Sequence, residues 1–186
     1  FTLETKTPLD QFDMLGFTLQ YEMSYTNILN MLDMSGITIR ASERGEDEPI
    51  IMAGGPCAYN PEPLYDIVDF FEIGEGEEMM DDVLEVYAKH KANGKVNKKE
   101  FLREISHIGG IYVPSLYDVS YNEDGTIREF TPKYEDVPAK VKKRIVNNFD
   151  KVSFPDEMIV PYTEIVHDRV VLETARGCTN GCRFCQ

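Results

Sequence analysis

A chain of 186 residues with 42% hydrophobic content holds enough apolar material for one ordinary globular domain, or for a domain with an extension belonging to something larger. Its formal charge of −14 sits entirely in the first half: up to Gly94 there are 19 acidic and 5 basic residues, and from Lys95 onward 14 of each. Such an acidic surface repels phosphate backbones and argues against nucleic-acid binding by this half, while no apolar run approaches the ~18 residues of a membrane span and the start FTLETKTPLD lacks the pattern of a signal peptide, so a cytoplasmic protein is expected.

Taken in chain order, DMLGFTLQ (Asp13 to Gln20) is a short, nearly continuous apolar run that predicts a strand covered on both faces. A helix follows, with Ser24 as its N-cap, Tyr25, Ile28, Leu29 and Leu32 at helical spacing, and Gly36 as the left-handed residue that ends it. PIIMAGGP and VDFFEIGEGEE repeat the pattern of apolar strand, then glycine turn, then helical stretch, which predicts a parallel sheet. The helix opening near Glu77 places Met80, Val83, Leu84 and Tyr87 on one face and stops at Asn93-Gly94. Glu75, Glu77 and Glu78 at its start complement the positive end of its dipole.

A further helix is expected from Asn97, with Glu100 as its capping-box partner, to just before Gly109-Gly110. LYDVSYNEDGTIREF reads as a hairpin around Asp124-Gly125. Pro132, Pro138, Pro155 and Pro161 then punctuate an extended, largely unpaired connector in which the basic run KVKKR (Lys140 to Arg144) reads as a solvated face. EIVHDRVVLETARG predicts a last strand delivering the cysteine loop.

The chain closes on ARGCTNGCRFCQ, in which Cys178, Cys182 and Cys185 form C-x3-C-x2-C. Without a secretory signal, such a cluster points to metal binding or redox chemistry before a disulfide framework. A loop of this length can fold three thiolates around one face of a cubic iron–sulfur cluster, leaving one iron without a protein ligand. Thiolates suit zinc as well, but a structural zinc site is normally closed by four protein ligands, and the nearest fourth candidate, His167, stands eleven residues upstream of Cys178.

RGCTNGCRFC resembles the cluster loop of the radical S-adenosylmethionine (SAM) superfamily, with Phe184 in its aromatic slot. LGFTLQYEMSYTNIL, IIMAGGPCAYNPEPL and DFFEIGEGEEMMDDVLE resemble the cobalamin-binding-type, Rossmann-like domain that precedes the barrel in one branch, and the likeness is greatest to an uncharacterised bacterial group of large radical SAM proteins. The resemblance implies a [4Fe-4S] cluster on Cys178, Cys182 and Cys185, SAM chelating the open iron, Phe184 packing near the adenine, an unknown substrate, and a reductant such as flavodoxin or ferredoxin. It would also bring cobalamin, yet the Asp-x-His-x-x-Gly motif carrying the lower axial histidine does not occur in these residues, which weighs against it. The alternative is a binding module holding zinc or a corrinoid without radical chemistry.

Gly54, Gly55, Gly74 and Gly76 occupy the strand-end turns where open α/β sheets bind ligands, although any tight turn also calls for glycine. Cys57 reads as a buried small apolar residue, His90 as a solvated side chain at a helix end, and Arg176 and Arg183 as either exposed or offsetting the charge of a cluster. The expected architecture is therefore α/β. A partial doubly wound parallel sheet over 1–94 precedes a helix-and-hairpin linker over 95–164, and the first strand and cluster loop of an otherwise absent radical SAM barrel occupy 165–186. Phe1 is not an initiator methionine and Gln186 directly follows the last cysteine, so the chain is expected to be a piece of a longer polypeptide, inactive by itself and with a poorly ordered cluster loop.

Overall fold

The computed structural model of the chain describes residues 1–92, 94–152, 162–166 and 171–183. Four strands form one sheet in the order β1 (Met14–Thr18), β2 (Ile50–Gly54), β3 (Phe70–Glu72), β4 (Ile111–Tyr112). β1, β2 and β3 run parallel, with Met14 opposite Ile50 and Met52 opposite Phe70. β4 runs antiparallel to β3, with Phe71 opposite Tyr112. The α/β architecture with parallel strands is the expected one, compatible with part of a Rossmann-like domain; the antiparallel β4 is an addition.

β2 and β3 are the centre of the core. Ile50 to Ala53 and Phe70 to Glu72 are all buried, which is why these stretches are apolar without alternation. β1 departs from expectation. It lies at the edge of the described sheet, so Met14, Leu15 and Phe17 are only partly covered, while Gly16 and Thr18 are exposed.

α1 (Tyr25–Met34) buries Ile28 and Leu32 and ends as expected at Gly36, where φ is +70° and the Ile37 N–H closes back on the Leu32 carbonyl at 3.0 Å. Ser24 does not cap it; its hydroxyl donates to the Tyr21 carbonyl, and Glu22–Ser24 forms a 3-10 turn. After β2 the expected helical stretch is two 3-10 turns, Pro56–Tyr59 and Glu62–Leu64, because Pro56, Pro61 and Pro63 remove donors that an α-helix would use.

α2 (Gly76–Ala92) buries Met79 and Val83. Met80 is only partly buried and Leu84 is 47% exposed, so the apolar stripe is rotated by about one residue from the expected one. α3 (Lys98–Ile105) starts at the expected cap, the Asn97 side chain accepting from the Lys99 and Glu100 N–H groups, but the Glu100 carboxylate does not return a bond to complete the expected capping box, and the helix stops at Ile105, short of Gly109-Gly110. It packs on α2 through Phe101, whose ring meets Tyr87 and His90 edge-on. His90 is therefore not a solvated side chain: it lies between the helices, 2.8 Å from the Glu104 carboxylate.

A buried ion pair closes the amino ends of β2 and β3. Arg44 donates to Asp69 at 2.6 Å and to the carbonyls of Thr38, Ile39 and Ile67, while Asp69 also accepts the Ile51 N–H. The side chains are 1% and 8% exposed. This pins the loop after α1 beneath the sheet.

β5 (Tyr117–Tyr121) and β6 (Ile127–Pro132) form the predicted hairpin, with Gly125 at φ +82° and a register shift at Ser120 and Tyr121. The connector beyond it is largely without strand pairing over the described residues, as expected, but it is packed against the rest of the chain. Val137 and Val146 are buried, Tyr117 donates to the Pro138 carbonyl, and Arg103 grips Asp136 through two bonds. Of the strand expected over 164–177, His167 and its neighbours to Val170 lie outside the described residues, and the flanking residues belong to no strand ladder. Pro155 and Pro161 also lie outside the described residues.

The buried and exposed ion pairs should respond differently to truncation. Asp69→Ala strands the Arg44 charge in the core and is expected to cost about 3–5 kcal/mol in urea denaturation, whereas Asp66→Ala, which removes the exposed partner of Arg40, should cost under about 1 kcal/mol.

Candidate functional site

The carboxyl ends of β2 and β3 bring together the four glycines of the strand-end turns, each met by another part of the chain. Gly55, at φ +95°, lies against the Leu19 backbone, where an added Cβ would come within 3.1 Å of the nitrogen. Gly54 and Gly76 flank Glu72, at 3.5 Å from its Cβ and 3.6 Å from its Oε2 by the same measure. Gly74 is the most tightly met: at φ +117°, a Cβ would stand 2.2 Å from the Arg144 carbonyl oxygen. The backbone of Arg144 bridges to this turn, its N–H donating to Ile73 and its carbonyl accepting from Glu75.

Glu72 is the chemically unusual group here. It is 7% exposed, its Oε1 has no hydrogen-bond partner, and burial pushes its carboxyl up to about 7. Cys57 follows the Gly55 turn and is buried as expected, with its thiol pushed up by burial and by the neighbouring Glu22 carboxylate.

Glu75, immediately before α2, and Glu77, Glu78 and Asp82 in its first two turns hold two arginines from far along the chain. Arg144 reaches Glu78 at 3.3 Å and Asp82 at 3.1 Å, so the run KVKKR is not simply solvated. Arg176 pairs with Glu77, with Glu75 at 3.7 Å and with Glu173 at 2.8 Å, and its guanidinium stands 4.9 Å from the centre of the Phe149 ring. The hydrogen bond from Arg176 holds Glu77 and Glu173 below the usual carboxylate range. The Val146 N–H donates to Glu75, tying the connector to the same turn.

Two residues beyond Arg176 the cysteine loop begins. Cys178 and Cys182 are free and exposed, separated by a turn in which the Asn180 N–H points at the Cys178 sulfur at 3.5 Å and Gly181 takes φ +60°. Phe184 and Cys185 lie outside the described residues, and among the described residues no group of three or more His, Cys, Asp or Glu side chains stands close enough to hold a metal. The two described thiols are accessible and uncommitted soft donors, a set that fits iron–sulfur ligation.

Sequence reasoning did not signal a cleft of about 460 Å³ at the opposite, amino end of the parallel strands, walled by Tyr65, Tyr112, Tyr117, Tyr121 and Lys98. Its carboxylates are already engaged, Glu46 by the Lys98 N–H, Glu62 by the Tyr112 hydroxyl, Asp66 by Arg40 and Asp69 by Arg44. No helix among the described residues is long and apolar enough to cross a membrane.

The family described as radical SAM proteins, N-terminal, matches residues 1–114. An uncharacterised protein of Methanocaldococcus jannaschii is 26% identical over 191 residues, covering all of this chain and 32% of its own length. The chain thus spans about a third of the curated relative it matches. No solved structure matches.

Glu72 makes the stability of the sheet depend on pH. Its carboxyl is neutral in the folded chain at pH values where the unfolded chain, at the ordinary 4.5, is already ionised, so its contribution is full below pH 4.5 and is lost as pH rises towards 7. Glu72→Gln should remove that loss, gaining up to about 3 kcal/mol over the parent in urea denaturation at pH 8 and little at pH 4.

Proposed function

Since the chain belongs to the family of radical SAM proteins, through their N-terminal region, we propose that it is the N-terminal part of a radical SAM enzyme and that its terminal loop binds a [4Fe-4S] cluster through Cys178, Cys182 and Cys185. The observation that carries this reading is the trio of cysteines in C-x3-C-x2-C, downstream of the matched domain and with Cys178 and Cys182 free and exposed. When bound, the cluster supplies the electron that reductively cleaves SAM to a 5′-deoxyadenosyl radical, which abstracts hydrogen from a substrate not yet identified.

The residues of this chain have distinct tasks in that reading. Cys178, Cys182 and Cys185, deprotonated, would hold the cluster through three protein ligands, and a fourth iron without a protein ligand would be available to SAM. Phe184 would pack near the adenine, and a small carrier such as flavodoxin or ferredoxin in the cytoplasm would supply the electron. Zinc is the less favoured occupant, since a structural zinc site takes four protein ligands. The upstream domain corresponds to the cobalamin-binding type. A corrinoid or other ligand at the strand ends would meet Gly54 and Gly76 beside Glu72, because Gly55 and Gly74 are closed by Leu19 and Arg144.

Anaerobic reconstitution of the full-length protein with iron and sulfide should load about four irons per chain and give a reduced cluster whose electron paramagnetic resonance spectrum changes when SAM is added. Cys178→Ala or Cys182→Ala should abolish iron uptake. Stoichiometric zinc without any iron uptake would overturn the reading.

A further inference from the structure

We propose that the first turn of α2 is the seat of the cysteine loop, with Glu75 and Glu77 acting through Arg176 as positioning residues for the metal site. This rests on the reading of the loop as an iron–sulfur ligand.

Arg176 stands two residues before Cys178, and successive Cα atoms are 3.8 Å apart, so fixing the arginine keeps the Cα that carries the first thiol within about 8 Å of its own Cα. The anchorage uses the whole guanidinium. Nε and Nη2 donate to Glu173, Nη2 also to Glu77, Nη1 faces Glu75, and the group lies near the Phe149 ring. A planar fork that bonds through its edges and packs beside a ring is a task for arginine and not for lysine.

The receiving element is rigid. α2 is seventeen residues long and is rooted in the core by Met79 and Val83. Glu75 accepts the Val146 N–H as well as facing Arg176, and Arg144 binds Glu78 and Asp82 one turn further on. Connector and cysteine loop are thus registered on the same helix start, beside the strand ends.

The arrangement also sets the local charge. Glu75, Glu77 and Glu173 surround one guanidinium, with Glu77 and Glu173 held ionised by it. A reduced cluster carries one more negative charge than an oxidised one. Removing a carboxylate therefore favours reduction, and removing Arg176 opposes it. A purely structural loosening of the loop would move both variants the same way.

Two measurements test this, the first needing no metal. Trypsin cleaves after Arg176, and when the side chain is clamped, cleavage requires local opening. Glu75→Gln/Glu77→Gln should therefore raise the rate of cleavage at Arg176 roughly fivefold, as should Arg176→Lys, while Glu123→Gln in the exposed hairpin tip leaves it unchanged. Unaltered cleavage at residue 176 in both clamp variants overturns the proposal, and an unchanged circular dichroism melt separates local release from global unfolding. The second measurement is the midpoint potential of the reconstituted full-length protein, expected to rise in Glu77→Gln and fall in Arg176→Ala; shifts of the same sign overturn the positioning role. Absence of iron uptake by the parent protein would refute the cluster reading while the proteolysis still decides the clamp.

Discussion

The acidic start of α2 organises what lies around it. Glu75 just before it and Glu77 and Glu78 in its first turn lie at the positive end of the helix dipole, with Asp82 one turn on, and for the first three the dipole alone would be a sufficient reason to find them there. They do more, because two arginines from the carboxyl-terminal part of the chain close onto them: Arg144 onto Glu78 and Asp82, Arg176 onto Glu75 and Glu77. An excess of negative charge that is unfavourable in the first half by itself becomes the binding surface for the balanced second half.

This interaction works only because the backbone can approach. Gly74 leaves the space into which the Arg144 peptide fits, and its left-handed φ turns the chain from β3 into α2 so that Ile73, Gly74 and Glu75 present a short edge for pairing. The bridging peptide delivers the Arg144 side chain to the helix face, and Val146 is buried just beyond. Backbone pairing and ion pairing thus share one turn, and each reduces the ordering entropy left for the other to offset.

The legible parts of the fold were those where local chemistry dictates the outcome. Unbroken apolar runs marked β2 and β3 because both faces of those strands are covered, Asn97 marked the start of α3 because its side chain can take orphan N–H groups, and Asp124-Gly125 marked the hairpin because one residue there needs positive φ. What escaped was decided by partners distant in sequence. β4 is two residues long and exists through β3; Arg44 looks like any loop arginine until Asp69 is placed beside it; the choice of Met79 over Met80 depends on where α2 sits on the sheet. In the candidate site the spacing of the cysteines is a local signal and could be read. The partners of Arg176 are a tertiary fact, and nothing near it in the sequence, apart from Glu173 three residues before, announces them.

Fastening the chain at Arg144 and again at Arg176 makes the intervening stretch a closed loop on one helix end. The entropy of closing such a loop grows only logarithmically with its length, so that doubling its roughly thirty residues would add about 0.6 kcal/mol. Insertions or deletions between the two fasteners would therefore cost little, whereas loss of either would leave the length of the spacer to set where the chain beyond it lies.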